Sequence, residues 1–579
     1  MVQLFLDGVL IIPDASTSIT VTKENPYFTL SDSYTLEISA PLDIYGNKRF
    51  FGSIQRTEKS KNCAEYKARL LADNKQILVG KARITQSNEK DVKLQLTTGV
   101  SALKMTADNG QMYIDEMDLG DVIESYLSAP IEGNSYLDVM KFGREIPIWD
   151  TSNDVGVNIP NFIQNYLLPP THSSSYVAYC ISLMGAAVSI AYKLGYDLRF
   201  LRLPAACANI YIVSPVGSKK IKKKLPHWTV SEFFEQLQNF FGCMIEEGNG
   251  YSLYMSPLKE YIDRQKYYLE PSDELEVDYT EEDELGGIVN SNIEYKLNSS
   301  DTEVIDDDIL KKAKGIVYCE NFSDAWNKMV NNNENKKSFI YDVDGLKYIA
   351  WENGEYLELK RIAPFNPLNR YPDSDMKEIK ISPVYIGDTR DIDIYWGNTK
   401  RQYRARVPEV SNPYEPRHRV SAEQEDEEVV DLQALIEGET ESSSSGKEDV
   451  ISVAFLGDQK TFIIKNPNSD DDDYKLSIKF AFTDAKYKTQ RNDYSPSWSL
   501  SLNEVKGYEF YLGELHKLPF RINKKCKYKI KFESDNIPDP KNIFIIRNKM
   551  FGCEKIEATI ENDVLNRQMT GYFYELTLL

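Results

Sequence analysis

Apolar and polar residues alternate in short runs over the first hundred positions. In YTLEISAPL the residues Tyr34, Leu36, Ile38 and Ala40 share one side of a two-residue period. The matching sets are Tyr66, Ala68 and Leu70 in EYKARLLA, and Val92, Leu94 and Leu96 in VKLQL. Asp73-Asn74-Lys75 and Asn88-Glu89-Lys90 sit between such runs and have the residue types of hairpin turns. The pattern predicts a compact antiparallel sheet over residues 1–125, closed as a barrel or stacked as a sandwich.

The period then changes. From Val230 to Phe241 the apolar residues Val230, Phe233, Phe234, Leu237, Phe240 and Phe241 recur at helical spacing. Thr229 is the expected N-cap, with Glu232 placed to complete a capping box and Trp228 to staple onto Phe233. Gly242 is the expected stop, and CMIEEGNGYSLYM reads as two strands around a Gly-Asn-Gly turn. Upstream, LPPTHSSSYVAYCISLMGAAVSIAYKLGYDL reads as a Pro-introduced helix ending near Gly195, followed by extended NIYIVSP. Its uncharged stretch Tyr176–Tyr192 is short for a bilayer span and reads as a buried core helix.

Strand patterns return after residue 258, with turns at Asp344-Gly345 and Asn353-Gly354 and short helices in DDDILKKA and FSDAWNKMVNNN. Residues Ser421–Asp449 are acidic, then serine-rich, and nearly free of aromatics, which marks a linker that buries little. Beyond it CKYKIKFE alternates, with Cys526, Tyr528, Ile530 and Phe532 inward and three lysines outward, and CEKIEATIE and GYFYELTLL read as further strands. The fold class expected is mainly β with an α+β insertion, in several domains. These are a β domain (1–125), a mixed α/β domain (126–258), a second β-rich domain (259–420), the linker (421–449) and a separate C-terminal β domain (450–579).

Composition narrows the function more than it specifies one. The formal charge of −21 argues against general phosphate-backbone binding. KKIKKK, Lys219–Lys224, is the densest basic cluster and reads as a solvated loop ahead of the helix cap. Seven scattered cysteines without a CxxC give neither a zinc spacing nor a disulfide framework, and fit a reducing cytoplasm. The opening MVQLFLDGVLIIPDAS lacks the basic start of a signal peptide. His172, His227, His418 and His516 lie far apart in unlike settings with no Cys/His pairing in the sequence, and His227 has no Cys or Asp at ligand or triad spacing nearby. Asp470–Asp473 in PNSDDDDYK lacks the alternating ligands of a calcium loop and reads as a solvated turn. There is no HExxH, Walker A or GxSxG. A glycosidase needs only two carboxylates, and nothing marks a pair among the 89 acidic residues. No catalytic, cofactor-binding or metal residue is assigned. Thirty-seven tyrosines and repeated β patterns suit an assembly protein, whose edge strands and aromatics make contacts with neighbours.

Certain segments carry a family resemblance. SYTLEISAPLDIYGNKRFFGSIQR (Ser33–Arg56), ARLLADNKQILVGKARITQ (Ala68–Gln86) and VKLQLTTG (Val92–Gly99) resemble the N-terminal module of a tail protein of phages and prophages of Bacteroides-type bacteria. LPHWTVSEFFEQLQNFFG and IPDPKNIFIIRNKMFGCEKIEATI…GYFYEL resemble the same group. The overall plan is similar to that of baseplate or tail-tip hub proteins. That resemblance implies a homotrimeric ring of tube-like β-barrels with a mixed α/β domain, adapting the tail tube to the central spike or fibres. It implies other tail and baseplate proteins as partners (tube, spike, fibres, tape measure), no membrane span, and DNA only as passing cargo. It also implies assembly in the bacterial host cytoplasm and a place at the distal end of the virion tail. An acidic channel wall would repel the passing DNA. A receptor- or carbohydrate-binding tail-tip protein and a tail-associated cell-wall hydrolase are the alternative readings.

Overall fold

The computed structural model describes residues 2–14, 18–28, 33–52, 54, 65–99, 112–124, 142–150, 155–157, 179–216, 218–247, 252–272, 276–279, 292–296, 313–320, 322–331, 339–343, 346–353, 356–361, 367–370, 376–396, 399–410, 450–464, 474–486, 497–504 and 508–578. His172, His418, Asp470–Asp473, the 421–449 linker and the Asp344-Gly345 turn lie outside them.

The predicted alternation places the first core. Ala68, Leu70 and Ala72 on the strand Glu65–Ala72, and Val92, Leu94 and Leu96 on Asp91–Thr97, are all buried. Asp73 and Asn74 both take left-handed backbone conformations, φ 48° and 58°, as a two-residue hairpin turn requires. One run departs from its reading. YTLEISAPL breaks into Tyr34–Thr35 and Ile38–Pro41, which shifts the phase, so Thr35 is buried and Leu36 lies 54% exposed. The Thr35 hydroxyl accepts the Leu96 N–H at 3.1 Å, which repays its burial.

These strands belong to a fifteen-stranded sheet built from both ends of the chain. Its path runs Glu276–Tyr279, Phe520–Glu533, Gln568–Leu578, Lys549–Glu561, Ile19–Glu24, Tyr34–Thr35, Asp91–Thr97, Lys75–Ser87, Glu65–Ala72, Gln3–Leu6, Val9–Ile11. The junction is antiparallel, with Ile19 opposite Ile560 and Glu24 opposite Lys555. Leu4, Leu70 and Leu94 share one core with Ile530, Phe532 and Phe573. Residues 450–579 therefore do not form a separate β domain. The strands from 520 onward complete the N-terminal sheet, whose Ile19–Glu24 strand would otherwise expose a row of unpaired backbone groups. Among the described residues the path is open at both ends, so the sheet does not close as a barrel.

The strand Ile451–Ile464 goes elsewhere. It sits between Ile210–Ile212 and Ile381–Pro383 in a seven-stranded sheet that also holds Tyr179–Ser182, Phe142–Glu145, Ile123–Glu124 and Tyr474–Phe482. The uncharged run reads differently from the expected Pro-introduced helix. Tyr179–Ser182 is a strand, and Ser182 then caps the helix Leu183–Lys193, with its hydroxyl accepting the Gly185 N–H at 3.4 Å. Gly195, at φ 84°, ends the helix, and the Tyr196 N–H returns to the Ala191 carbonyl. Residues 183–191 are all buried. Among the described residues no helix is long and apolar enough to cross a membrane. A third sheet, of three strands, pairs Asp197–Phe200 with Ser252–Pro257 and the latter with Cys243–Glu247. A small unit of four strands and the helix Phe322–Asn331 has its own core around Ala325, Met329 and Tyr341.

Asn25 ties the first sheet to the mixed region. Its side chain is fully buried, with the two Nδ2 hydrogens shared among the carbonyls of Pro540 (2.9 Å) and Cys553 (2.8 Å) and the Tyr261 hydroxyl (3.2 Å), while its Oδ1 accepts the Tyr27 N–H. The Tyr27 hydroxyl in turn donates to Glu246 at 2.8 Å, and Arg264 donates to both. Asn25→Ala leaves several of these groups buried without partners, an expected loss of about 2–3 kcal/mol, read as a lowered urea midpoint.

Candidate functional site

The surface best placed to make contacts is the open end of the large sheet. Asp7 (φ 48°) and Gly8 (φ 82°) form the tight turn that folds Val9–Ile11 back onto Gln3–Leu6, with Leu4 opposite Ile11 and Leu6 opposite Val9. Leu4, Leu6 and Ile11 are fully buried and fix the register. Asn47, on the short helix Tyr45–Phe51, holds the outgoing chain as a peptide group would. Its Oδ1 accepts the Ile12 N–H (3.0 Å), and its Nδ2 donates to the carbonyls of Ile12 (2.8 Å) and Pro41 (2.9 Å). The strand is thus rigidly presented, and among the described residues nothing pairs its outer edge. Val9, Leu10 and Ile12 are exposed, and so is Tyr45 on the adjoining helix, at 78%. An apolar edge strand without proline or lysine is a template for another strand. The other end of the path, Glu276–Tyr279, is also open among the described residues.

The unit around Val230–Phe241 is structural. The Thr229 hydroxyl accepts the Glu232 N–H at 3.1 Å, but the reciprocal half of the capping box is absent, because the Glu232 carboxylate pairs with Lys380 at 2.7 Å. The predicted apolar face is buried throughout, in one core with Trp228. His227 stacks on Tyr113 with ring centroids 3.8 Å apart, and its Nδ1 lies 3.0 Å from the Asp115 carboxylate. This partner lies 112 residues upstream, beyond the reach of any local spacing. The pair bridges two segments, with Tyr113 bonded to Thr229 as an isolated β-bridge.

KKIKKK is solvated only in part, with Lys219, Lys220 and Lys223 exposed. Residues Ile221–Lys224 form a 3₁₀ turn, and Lys224 is fully buried. Side chains three apart are eclipsed in such a turn, so Lys224 follows Ile221 inward. Its ammonium donates to the Val216 carbonyl at 3.0 Å and has no carboxylate partner among the described residues. Burial pushes its pKa down to about 8.

His516 lies at the other end of the helix. Arg370 donates to its Nδ1 (3.2 Å) and to its carbonyl (3.0 Å). Nδ1 must therefore be the acceptor, and Nε2 carries the proton, donated to the Phe240 carbonyl at 3.0 Å. Burial first, and the Arg370 charge second, push its pKa down to about 3. An imidazole that is neutral across the physiological range, with both nitrogens engaged, is a strut rather than an acid or base.

No protein-family model matches the chain, and no curated sequence does. Two solved structures align along nearly all of it. One is the tail protein from Neisseria meningitidis MC58, at 7% identity and a TM-score of 0.32, over 99% of this chain and 96% of that one. The other is the 43 kDa tail protein of prophage MuSo2 from Shewanella oneidensis, at 6% identity and a TM-score of 0.31, over 99% and 97%. Overlap this loose in space carries neither fold nor function from one chain to the other.

Sequence reasoning passed over the edge strand. MVQLFLDGVLII holds its signal openly, since Asp-Gly between apolar runs is a hairpin turn, and a hairpin at the start of a sheet has one outer strand.

Proposed function

We propose that the chain is a structural component of a phage tail, of the baseplate or tail-tip hub type, which assembles as a homotrimer and adapts the tail tube to a central spike or fibres. The observation that carries this reading is the rigid, apolar and open edge Val9–Ile11, held by Asn47 and flanked by Tyr45. The resemblance of Ser33–Arg56, Ala68–Gln86 and Val92–Gly99 to a tail-protein module supports it from the sequence. The edge takes a strand of a second copy, and Glu276–Tyr279 at the far end of the same sheet supplies one. Contact between two different edges of identical chains propagates head to tail and closes as a ring. In this reading the chain does no chemistry, and its neighbours are tube, spike, fibre and tape-measure proteins. The acidic charge faces a channel that passes DNA.

Two measurements test the reading. Light scattering on the purified chain should give three times the mass of the 66.4 kDa monomer. A Leu10→Lys variant should run as a monomer, because an edge lysine blocks pairing at little cost to the fold. Serum against the chain should label the distal end of intact tails in electron micrographs. A monomeric wild-type chain, or particles without label, would sink the assignment.

A further inference from the structure

The small unit around Ala325, Met329 and Tyr341 has an outer strand that should be a liability. Gly315–Cys319 pairs in parallel with Phe339–Val343 on one side and, among the described residues, with no strand on the other. Its sequence, GIVYC, has no charge and no proline. Val317 and Cys319 pack on the core that holds Ala325 and Met329 of the helix Phe322–Asn331. Ile316 and Tyr318 therefore take the opposite face, where they are 44% and 73% exposed. A bare strand rich in β-branched and aromatic residues is the pattern that recruits further strands.

The helix meets this edge with two side chains. Lys328 donates to the Tyr318 carbonyl at 3.0 Å, and the Asp324 carboxylate accepts the Glu320 N–H at 3.0 Å. The two side chains also pair with each other at 2.7 Å. Each holds the other charged. The bond to Lys328 keeps the Asp324 carboxyl below its ordinary range, and the bond to Asp324 keeps the Lys328 ammonium above its own. Backbone groups two residues apart in an extended chain point the same way, so the Tyr318 carbonyl and the Glu320 N–H lie on one side of it. An exposed ion pair four residues apart on a helix adds little stability. This one is set apart by its backbone bonds, since its cation takes a carbonyl and its anion takes an N–H, as a neighbouring strand would.

We propose that Asp324 and Lys328 form a clasp over the outer backbone groups at Tyr318 and Glu320, and so withhold this edge from pairing with the same edge of a second copy. A second copy is the occupant to be kept off, because it is present wherever the chain is, and two identical edges meet about a two-fold axis. Ile316 and Tyr318 would be covered in that contact. The clasp guards a different edge from Val9–Ile11, and its action does not depend on whether the chain is a trimer.

The test follows the full chain by sedimentation velocity over a concentration series. Each variant is compared with its parent, so the parent's own oligomeric state does not enter. The double variant Asp324→Ala, Lys328→Ala should self-associate at least about tenfold more tightly than the parent. Lys328→Arg, which keeps the charge and the donors, should match the parent. Adding Ile316→Lys to the double variant should reverse the gain, because an edge lysine blocks pairing. Hydrogen exchange gives a second reading. The amides of residues 316–320 should exchange faster in the dilute double variant than in the parent and regain protection on concentration, while Phe339–Val343 stays protected throughout. Association no tighter than the parent's would overturn the clasp. So would a gain that Ile316→Lys leaves in place, or one that comes with lost protection in Phe339–Val343, since unfolding of the unit would then be the cause.

Discussion

Replacing Gly242 by alanine is expected to destabilise the protein by about 4 kcal/mol, from two causes that can be separated. Gly242 ends the helix Val230–Phe241 at φ 55° and ψ 41°, and its N–H closes on the Gln238 carbonyl. A side chain in this left-handed region costs about 1–2 kcal/mol. A Cβ there would also stand 2.9 Å from the Cγ and Nδ1 of His516. The ring cannot retreat without losing its bonds to Phe240 and Arg370, so overpacking adds roughly 1–3 kcal/mol. A double-mutant cycle with His516→Ala divides the two. In that background Gly242→Ala should cost only the conformational part, about 1–2 kcal/mol. Urea midpoints of the four proteins give the comparison. A cost that does not fall when His516 is removed would mean that the ring does not constrain the glycine.

Lys224→Met is expected to act in the opposite direction and to depend on pH. The folded pKa of Lys224 is lowered to about 8 from 10.5. Below pH 8 both states hold the proton, and the folded state carries the full penalty of a buried charge, about 3 kcal/mol. Between pH 8 and 10.5 the unfolded chain binds more protons than the folded one, so stability rises with pH and the penalty disappears. Methionine fills similar volume without the charge. The variant should therefore be stabilised by about 2–3 kcal/mol at pH 7, less the single bond to Val216. Its advantage should shrink as the pH rises past about 8. Hydrogen exchange of the amides in Val230–Phe241, which shares a core with Ile221 and Leu225, reads the difference locally. An advantage of the same size at pH 7 and pH 10 would show that the ammonium is not the cause.

Local grammar was legible wherever the partner of a residue lies within a few positions of it. The Thr229 cap, the Gly242 stop, the Asp73-Asn74 turn and the two-residue period of Asp91–Thr97 follow from backbone and side-chain geometry alone, and the structure keeps all four. Reading failed where the deciding contact is remote. Leu36 is on the apolar side of a plain alternation, but the strand breaks beside it because Thr35, not Tyr34, turns inward to reach Leu96. Lys224 looks like one more solvated charge until the 3₁₀ turn sets it beneath Ile221. Glu232 stands at the spacing of its own cap but pairs with Lys380 instead. The pairing of Ile19–Glu24 with Lys549–Glu561 has no local signal at all, since a strand advertises its period and not its neighbour. The edge at Val9–Ile11 is the contrary case, a site whose turn was visible and whose meaning needed the sheet order.

The union of the two chain ends in one sheet also sets the timing of synthesis. Ile19–Glu24 leaves the ribosome long before Lys549–Glu561, its neighbour in the sheet. At roughly 5–20 residues per second, the first strand waits on the order of a minute for its neighbour. During that wait the growing chain carries an open edge and a core lacking Ile530, Phe532 and Phe573. A product truncated anywhere before residue 549 cannot complete the sheet and remains a substrate for chaperones and proteases. Synthesis of Lys549–Glu561 is thus the condition for a finished sheet, and copies that stop short of it lack the neighbour of Ile19–Glu24.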